Sequence, residues 1–569
     1  MMALRLKSNL AKIWIIILFL FIITLPFLNR AIAVDDIYIL AIADHVIEKP
    51  LDPYNFDWYG QNRPLQRAYD TATKPPLVPY YLGLMKFFFG NSEVILHTFF
   101  MVFSIVAAIS MFYLSKRFTK WPLAATLLLI SIPIFSVTSH NFMLDLPVLT
   151  FFLLSCITFI NGVDNDKKIS LVLSGLFVAL AFLTKYNAII LFPLLISYAL
   201  LRKKAKYIGY LSLSLILILI WSLNELYHYG SVHSANIFLN WHTTGNLSSS
   251  IISKVFDYVI PFLISNLSYI GGGTIFFIFL IYPFIRKLKD VAILFVIFVV
   301  NSILAYILYF MSASFLSGQY NIFQLTLFVI FATSSSFFIV KMLESLIKAT
   351  HIYIKKKEDK YGRAADKIFL GFCFFLGFIF HTIIAGGNAR YLTILLPPLI
   401  LFYFLMIQDN VKIYKIKKSA ISFVIILTIV LSAITSLAVS VADYQYAEVY
   451  RDFAKKIPYS SYSKSNIIFT GHEGFKYYME QRGYTFYDPY TRELQKGDIL
   501  ITPKIPVPRN LDSIRNNLTL LGKIKYSTDF PVRTNNPWSH AGFYVYANGV
   551  LPFSFSNGPL DIFEIYEFR

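Results

Sequence analysis

Two adjacent carboxylates, Asp35 and Asp36, follow the first long apolar run of the sequence. A polar, aromatic loop then leads to a lysine before two prolines, Lys74-Pro75-Pro76-Leu77. Where an apolar helix leaves a bilayer, carboxylates are costly unless they are solvated or functional. This stretch is therefore a candidate site in which a carboxylate acts as a base and a lysine stabilises negative charge.

Further ionisable residues fall at the predicted outer ends of later apolar runs, and their interiors are nearly free of charge. They are Asp145, Lys185, Glu225 and Arg390, with His140 and His381 nearby. An ion-coupled transporter would place charges near the bilayer midplane. Charges of both signs at one interface favour chemistry at the outer membrane surface instead.

Each of these charged residues also has a structural interpretation. Asp145 precedes a Leu-Pro pair and could cap a helix. Lys185 could extend its ammonium group to the interface, and Arg390 could anchor the end of a span. The sequence alone leaves both interpretations open.

The composition identifies the class of protein. The 569-residue chain is 56% hydrophobic and only 15% charged, which is typical of a polytopic membrane protein. Lys and Arg exceed Asp and Glu by 51 − 32 = 19. We assign this excess to one face of the membrane, and predict membrane lipids rather than nucleic acid as partners.

The apolar runs predict about thirteen membrane-spanning helices. The first, Ile13–Leu28, precedes a signal-peptidase-like Ala31-Ile32-Ala33, but its length favours a retained anchor. The others are predicted at about Val94–Leu114, Pro122–Ser139, Phe142–Ile160, Ile169–Thr184, Asn187–Leu201, Tyr207–Leu226, Val259–Ile285, Val291–Phe310, Ile322–Val340, Ile368–Ile384, Leu392–Met406 and Ile421–Val441.

Loop charge predicts the orientation. Every basic cluster lies on the same side as the amino terminus, which the positive-inside rule makes cytoplasmic. The clusters are Lys116–Lys120, Lys167–Lys168, Arg202–Lys206, Arg286–Lys289, Lys341–Lys367 and Lys412–Lys418. We therefore expect a multi-pass protein of the inner (plasma) membrane, with a transmembrane domain over residues 1–441. Its first extracytoplasmic loop would cover residues 34–93.

Residues 442–569 contain no further apolar run and predict a small extracytoplasmic α/β domain. Ile467-Ile468-Phe469 and Ile499-Leu500-Ile501 predict strands, and Gly474–Met479 predicts a helix between them.

No metal site is predicted. His228, His233 and His242 share one loop, but their spacing matches no zinc pattern, so solvated loop histidines are favoured. Gly271-Gly272-Gly273 lacks the Gly-Lys-Ser/Thr of a phosphate loop and predicts helix packing or a helix break. The two cysteines, Cys156 and Cys373, lie in apolar runs and are predicted to be core residues.

Several short motifs, taken in order, resemble those of the GT-C glycosyltransferases, in particular the protein O-mannosyltransferases and the lipid A aminoarabinose transferases. They are Asp35-Asp36, Lys74-Pro75-Pro76-Leu77, Leu144-Asp145-Leu146-Pro147, Leu183-Thr184-Lys185, Ala389-Arg390-Tyr391 with Leu396-Pro397, and Gly471–Tyr478. Asp36 departs from the family pattern, in which glutamate is frequent, so the motif does not decide which carboxylate of the pair is catalytic.

The resemblance implies a helical GT-C membrane fold and an inverting transfer of one sugar from a polyprenyl-phosphate donor, here undecaprenyl phosphate. The acceptor would be an envelope lipid, glycan or protein. It implies Asp35 and Asp36 as catalytic residues, with Asp35 the candidate base. Lys74, Arg390 and Tyr391 would bind the donor phosphate, with Asp145 and Lys185 in support.

No cofactor is expected to be required, and a divalent metal is compatible but not indicated. Two alternatives are a flippase or transporter of lipid-linked sugars and an oligosaccharide ligase.

The predicted orientation can be measured directly. All basic clusters share one side, so the carboxy terminus should lie outside the cytoplasm. Of two reporters fused after Arg569, the one that works only outside the cytoplasm should be active, and the one that works only in the cytoplasm should be inactive. A fusion at that position with solely cytoplasmic activity would contradict the predicted topology.

Overall fold

The computed structural model describes residues 2–59, 65–71, 74–237, 259–273, 283–311, 319–355, 363–457, 467–489, 493–506 and 511–569. These residues form a helical bundle followed by a β-rich carboxy-terminal region. Helices account for most of the chain up to residue 457.

Within its described residues, the first half of the bundle contains eleven helices in chain order. Their bounds are α1 Met2–Thr24, α2 Asp36–Glu48, α3 Ala68–Thr71, α4 Leu77–Phe89, α5 Glu93–Phe118, α6 Pro122–Ser131, α7 Pro133–Thr138, α8 Asp145–Asn165, α9 Lys168–Thr184, α10 Leu191–Leu201 and α11 Ser212–Tyr229. A short antiparallel pair, β1 Asp57–Tyr59 and β2 Leu65–Arg67, lies in the loop after α2.

The second half of the bundle, as far as the structure describes it, continues with six helices. They are α12 Ile260–Gly273, α13 Leu288–Met311, α14 Ile322–Ile354, α15 Ala364–Phe380, α16 Leu396–Ile413 and α17 Lys418–Lys455.

Nine helical segments within the described residues are long and apolar enough to cross a membrane. They are Asn9–Phe27, Glu93–Phe118, Asp145–Asn165, Ala205–Tyr229, Leu288–Phe310, Ile322–Ile354, Ala364–Ile383, Ala389–Ile413 and Lys418–Lys455. Shorter apolar helices cover Leu77–Phe89, Pro122–Ser131, Lys168–Thr184 and Tyr186–Leu201. The helical membrane fold predicted from the sequence is confirmed.

The predicted span Pro122–Ser139 differs from the structure, which breaks it into α6 and α7. Ile132 adopts an extended conformation with ψ near 131° between the two helices. Proline disfavours helical geometry at the residue before it, and Pro133 follows here. The predicted span Val259–Ile285 is described in part, as α12, and residues 274–282 lie outside the described residues.

Close helix packing explains the glycine triplet. A Cβ atom on Gly271 would lie 1.8 Å from the Phe331 carbonyl oxygen of α14. Only a residue without a side chain permits that approach. The prediction of helix packing is confirmed, and both cysteines are buried as expected.

The carboxy-terminal region contains a five-stranded mixed sheet. Its strands are β3 Ile467–Phe469, β4 Thr485–Phe486, β5 Ile499–Pro503, β6 Leu518–Tyr526 and β11 Asp561–Phe568, with helix α18 Glu473–Gln481 between β3 and β4. The strand order is β4-β3-β5-β11-β6; β3 runs parallel to β4 and β5, whereas β11 is antiparallel to β5 and β6. The predicted strands and helix of this region are confirmed. Two smaller pairs join β7 Val532–Arg533 to β10 Ser554–Phe555 and β8 Asn535–Asn536 to β9 Ala541–Gly542.

The carboxy-terminal region is fastened to the bundle. α17 is one continuous 38-residue helix, and the predicted boundary between residues 441 and 442 lies within it. Near its end, Phe453 stacks on Phe563 of β11 at 3.8 Å between ring centroids. Gly474 of α18 lies so close to the Ile32 carbonyl oxygen that a Cβ atom would be 2.0 Å away. These contacts hold the region against the segment that leads into Asp35.

Candidate active site

Asp35 is shared by two cations from distant parts of the chain. Its Oδ2 atom lies 2.7 Å from Lys74 Nζ and 2.9 Å from Arg390 Nη2. The Asp35 side chain keeps 27% exposure, whereas that of Arg390 keeps 8%. The cluster is therefore largely enclosed but reaches a surface through Asp35 and Lys74.

Local backbone geometry places the three groups. Asp35 is the residue before α2, and the preceding Val34 has φ 51°, a conformation that is strained for a β-branched side chain. Lys74 lies just before α4, and Tyr54 donates a hydrogen bond to its carbonyl oxygen at 2.7 Å. Arg390 lies in a short 3₁₀ turn, Ala389–Leu395, that leads into α16.

A second ion pair lies beside the first. Lys185 Nζ is 2.6 Å from Asp145 Oδ1, and the other Asp145 oxygen is 4.0 Å from Arg390 Nη1. The Lys185 ammonium group also lies 4.0 Å from the centre of the Tyr391 ring, a cation–π contact. The structure thus brings six predicted site residues into one constellation: Asp35, Lys74, Asp145, Lys185, Arg390 and Tyr391.

This constellation carries excess positive charge. Lys74, Lys185 and Arg390 face the carboxylates of Asp35 and Asp145, so three cations meet two anions. Burial alone would raise the pKa of Asp35, but the charges of Lys74 and Arg390 outweigh it and hold that pKa well below its usual value. Asp35 is therefore ionised, and the site has the net charge to accept a phosphate group.

Asp36 points into a different environment. Its side chain is fully buried, lies 3.1 Å from Arg30 Nη1 and accepts a hydrogen bond from the Phe142 backbone N–H at 2.9 Å. Arg30 also binds Asp443 of α17 at 2.6 Å, and the Tyr544 hydroxyl donates to Asp443 at 2.7 Å. Burial raises the pKa of Asp36 to about 6 despite Arg30. Asp36 thus connects the turn that carries Asp35 to the bundle and does not contact Lys74 or Arg390.

Two buried residues near the site were not singled out from the sequence. Arg30 is fully buried at the outer end of the first apolar run. A cation on the predicted outer side runs against the positive-inside pattern, and that exception is a sequence signal for it. Glu473 is 7% exposed and has φ 59°, and Tyr446 donates a hydrogen bond to it at 3.2 Å. Burial and the charge of Asp35 raise the pKa of Glu473 to about 8.

Of the three loop histidines, His228 and His233 have described positions. His233 is buried, against our expectation of a solvated residue, because Tyr54 and Tyr69 pack around its ring. Its Nδ1 atom lies 2.7 Å from the Tyr186 hydroxyl. His242 lies outside the described residues. Among the residues with described positions, no group of three His, Cys, Asp or Glu side chains could hold a metal ion.

Residues 73–224 match the family model described as dolichyl-phosphate-mannose-protein mannosyltransferase. The resemblance of this chain to the GT-C glycosyltransferases is confirmed. The matched range, residues 73–224, contains Lys74, Asp145 and Lys185. The contacts of Asp35 and Arg390 with Lys74 then extend the same site to residues outside the matched range. A comparison with curated protein sequences finds no significant match.

Solved structures of low sequence identity also superpose on this chain. The apo oligosaccharyltransferase of Archaeoglobus fulgidus shares 12% identity at a TM-score of 0.48, covering 85% of this chain. The chain spans 65% of that protein, less than two thirds of its length. ArnT from Cupriavidus metallidurans in complex with undecaprenyl phosphate shares 12% identity at a TM-score of 0.42, covering 92% of this chain and 97% of ArnT.

The buried Glu473 carboxyl group makes stability depend on pH. Its pKa is raised from 4.5 to about 8, so between these values the folded chain holds a proton that the unfolded chain releases. Stability should therefore fall as pH rises through that window. Glu473→Gln should flatten this fall, measured as thermal unfolding of the purified protein at several pH values, whereas the exposed control Glu48→Gln should not. Parallel pH curves for Glu473→Gln and the unmodified protein would contradict the assignment.

Proposed function

We propose that this protein is an inverting glycosyltransferase whose donor is a sugar linked to a polyprenyl phosphate. The polyprenyl carrier in this proposal is undecaprenyl phosphate. The enzyme moves a single sugar to a hydroxyl or phosphate group of an envelope lipid, glycan or protein. The observation that carries this proposal is the Asp35 carboxylate held between Lys74 and Arg390. This contact brings the proposed base, Asp35, together with the two cations, Lys74 and Arg390, and the Asp35 side chain is partly exposed.

The family match supports the class of donor. The matched model is named for a dolichyl-phosphate-mannose donor, a sugar linked through phosphate to a polyprenyl lipid. The three cations of the constellation suit such a phosphate. The sequence has no nucleotide-binding glycine loop at Gly271-Gly272-Gly273, which agrees with a lipid-linked donor.

The proposed reaction is a displacement at the anomeric carbon. The acceptor oxygen forms a bond to that carbon on the face opposite the phosphate, and the bond from carbon to phosphate oxygen breaks. The phosphate keeps the electron pair, and Lys74 and Arg390 stabilise its charge. The acceptor proton moves to the Asp35 carboxylate. No separate acid is needed, because a phosphate leaves readily as an anion.

Donor binding would also activate Asp35. Without donor, its two cations keep the pKa of Asp35 low, and such a carboxylate is a weak base. A donor phosphate competes for the same two cations. When they turn to the phosphate, Asp35 loses its stabilising partners and its proton affinity rises. The base would thus become competent only when a donor is present.

The remaining predicted residues take positioning roles in this proposal. The Asp145–Lys185 pair contacts Arg390 and the Tyr391 ring and would hold both in place beside the phosphate. Asp36 would fix the turn that presents Asp35, through its buried contacts with Arg30 and the Phe142 backbone. The site would face the outer side of the inner membrane.

Replacement of the base tests the chemistry. Asp35→Asn preserves size and should lower turnover by roughly 10²–10⁴-fold or more, the usual range for a general base. Asp44→Asn removes an ion-paired aspartate of α2 that lies outside the site, and it serves as the matched control. Turnover is measured with purified protein and a polyprenyl-phosphate sugar. An active Asp35→Asn beside an inactive Asp36→Asn would move the role of base to Asp36.

Replacement of the cations tests the phosphate site. Lys74→Ala should impair donor use much more than acceptor affinity. Arg390→Lys should also be impaired, because a point charge replaces a planar group that forms two parallel hydrogen bonds. The two losses should be non-additive, since both groups act on one leaving phosphate. Steady-state kinetics of the single and double variants measure this.

Lys86→Ala is the control for Lys74→Ala, since Lys86 also pairs with an aspartate of α2 but lies outside the site. If both lysines only stabilise the fold, the two variants will show lower yield with normal specific activity. Full specific activity in folded Lys74→Ala or Arg390→Lys protein would remove that residue from the site.

A further inference from the structure

A cavity of about 290 Å³ opens at the end of the bundle opposite to Asp35. It lies between the start of α13, the second half of α14, the start of α15 and the end of α16. Arg390 precedes α16, whereas Asp409 near its other end lines the cavity. The 18-residue helix between them is about 27 Å long, close to the thickness of the hydrocarbon core. The cavity therefore lies at the other membrane interface.

The lining of this cavity is rich in cations. Six basic side chains meet three acidic ones, Asp290, Glu344 and Asp409. The basic residues are Lys287, Lys289, Lys341, Lys348, Arg363 and Lys367. This composition leaves an excess of three positive charges (6 − 3) around one concave surface.

Each of the three acidic side chains forms ion pairs with basic side chains of the lining. Asp290 binds Lys341 at 2.6 Å and accepts hydrogen bonds from the backbone N–H groups of Arg286 and Lys287. Glu344 binds Lys341 at 3.1 Å, and Asp409 pairs with Arg363, just before α15, and with Lys367 of α15. These contacts neutralise the inner part of the cavity and fix the ends of the helices.

Two lysines at the rim of the cavity have no acidic partner among the described residues. Lys287, just before α13, and Lys348 of α14 are exposed and line the cavity, and neither forms an ion pair with any residue whose position is described. Behind them the wall includes the apolar side chains of Phe284, Ile352 and Met406. A ligand that satisfies both features carries an anionic group beside an apolar portion.

We propose that this cavity binds the phosphate headgroup of an anionic phospholipid. Ammonium groups bind phosphate as point charges, and basic pockets between transmembrane helices favour anionic headgroups. The volume is at the low end for small-molecule sites, which suits a headgroup whose acyl chains remain in the bilayer. The predicted orientation places the cavity on the cytoplasmic side. This site is separate from Asp35 and does not depend on the proposed transferase activity.

Native mass spectrometry of the purified full-length protein tests the proposal. The probes are phosphatidylglycerol and, as a zwitterionic reference, phosphatidylcholine with the same acyl chains. The cavity variant is the double substitution Lys287→Gln and Lys348→Gln. The matched control, Lys167→Gln with Lys168→Gln, removes the same charge from exposed lysines that do not line the cavity.

The protein should bind phosphatidylglycerol in preference to phosphatidylcholine. The cavity variant should weaken this binding by about twenty-five-fold, since each of the two lysines near a membrane surface contributes about fivefold. The control should bind as the unmodified protein does, and excess inorganic phosphate should not displace the lipid. Equal binding of both lipids, or an equal loss in the control, would overturn the proposal. Displacement by inorganic phosphate would assign the cavity to a free phosphate instead.

Discussion

The charge on Asp35 is the constraint around which the active-site region is arranged. A carboxylate that is largely withdrawn from water is stable only with partners of opposite charge, and here Lys74 and Arg390 supply them. Those cations lie before α4 and before α16, so the ion pair joins the first loop to the second half of the bundle. The proposed function uses the same balance, because a phosphate that takes the cations changes the basicity of Asp35.

The surroundings of the site are built to keep that arrangement in place. Arg30 binds the two carboxylates of Asp36 and Asp443, and thereby links the turn that carries Asp35 to α17. The carboxy-terminal region binds to the same turn and to α17. Its Tyr544 hydroxyl donates a hydrogen bond to Asp443, and its Tyr478 hydroxyl accepts one from the Ile32 N–H. Removing one member of such a buried network would strand an unpaired charge, which costs several kcal/mol, about 3–5 for a buried pair.

The sequence was sufficient to predict the helical membrane fold, the strands of the carboxy-terminal region and a common location for Asp35, Lys74 and Arg390. Apolar length and loop charge can be read from each stretch of sequence by itself, and they predict the spans and their orientation. The motifs occur in a fixed order along the chain, and the spans between them place their charged residues at one interface. The sequence could not separate the two carboxylates, since only tertiary contacts turn Asp36 towards Arg30. It also missed Glu473 and the burial of His233, which depend on packing between distant segments.

The most direct test measures how tightly undecaprenyl phosphate itself binds to the unmodified protein and to Asp35→Asn. If Asp35 competes with the phosphate for Lys74 and Arg390, removing its charge frees both cations. The variant should then bind undecaprenyl phosphate more tightly, by about tenfold or 1.4 kcal/mol, although its turnover is lost. Unchanged or weaker binding by Asp35→Asn would contradict the account, because it would show that Asp35 and the phosphate do not share these cations.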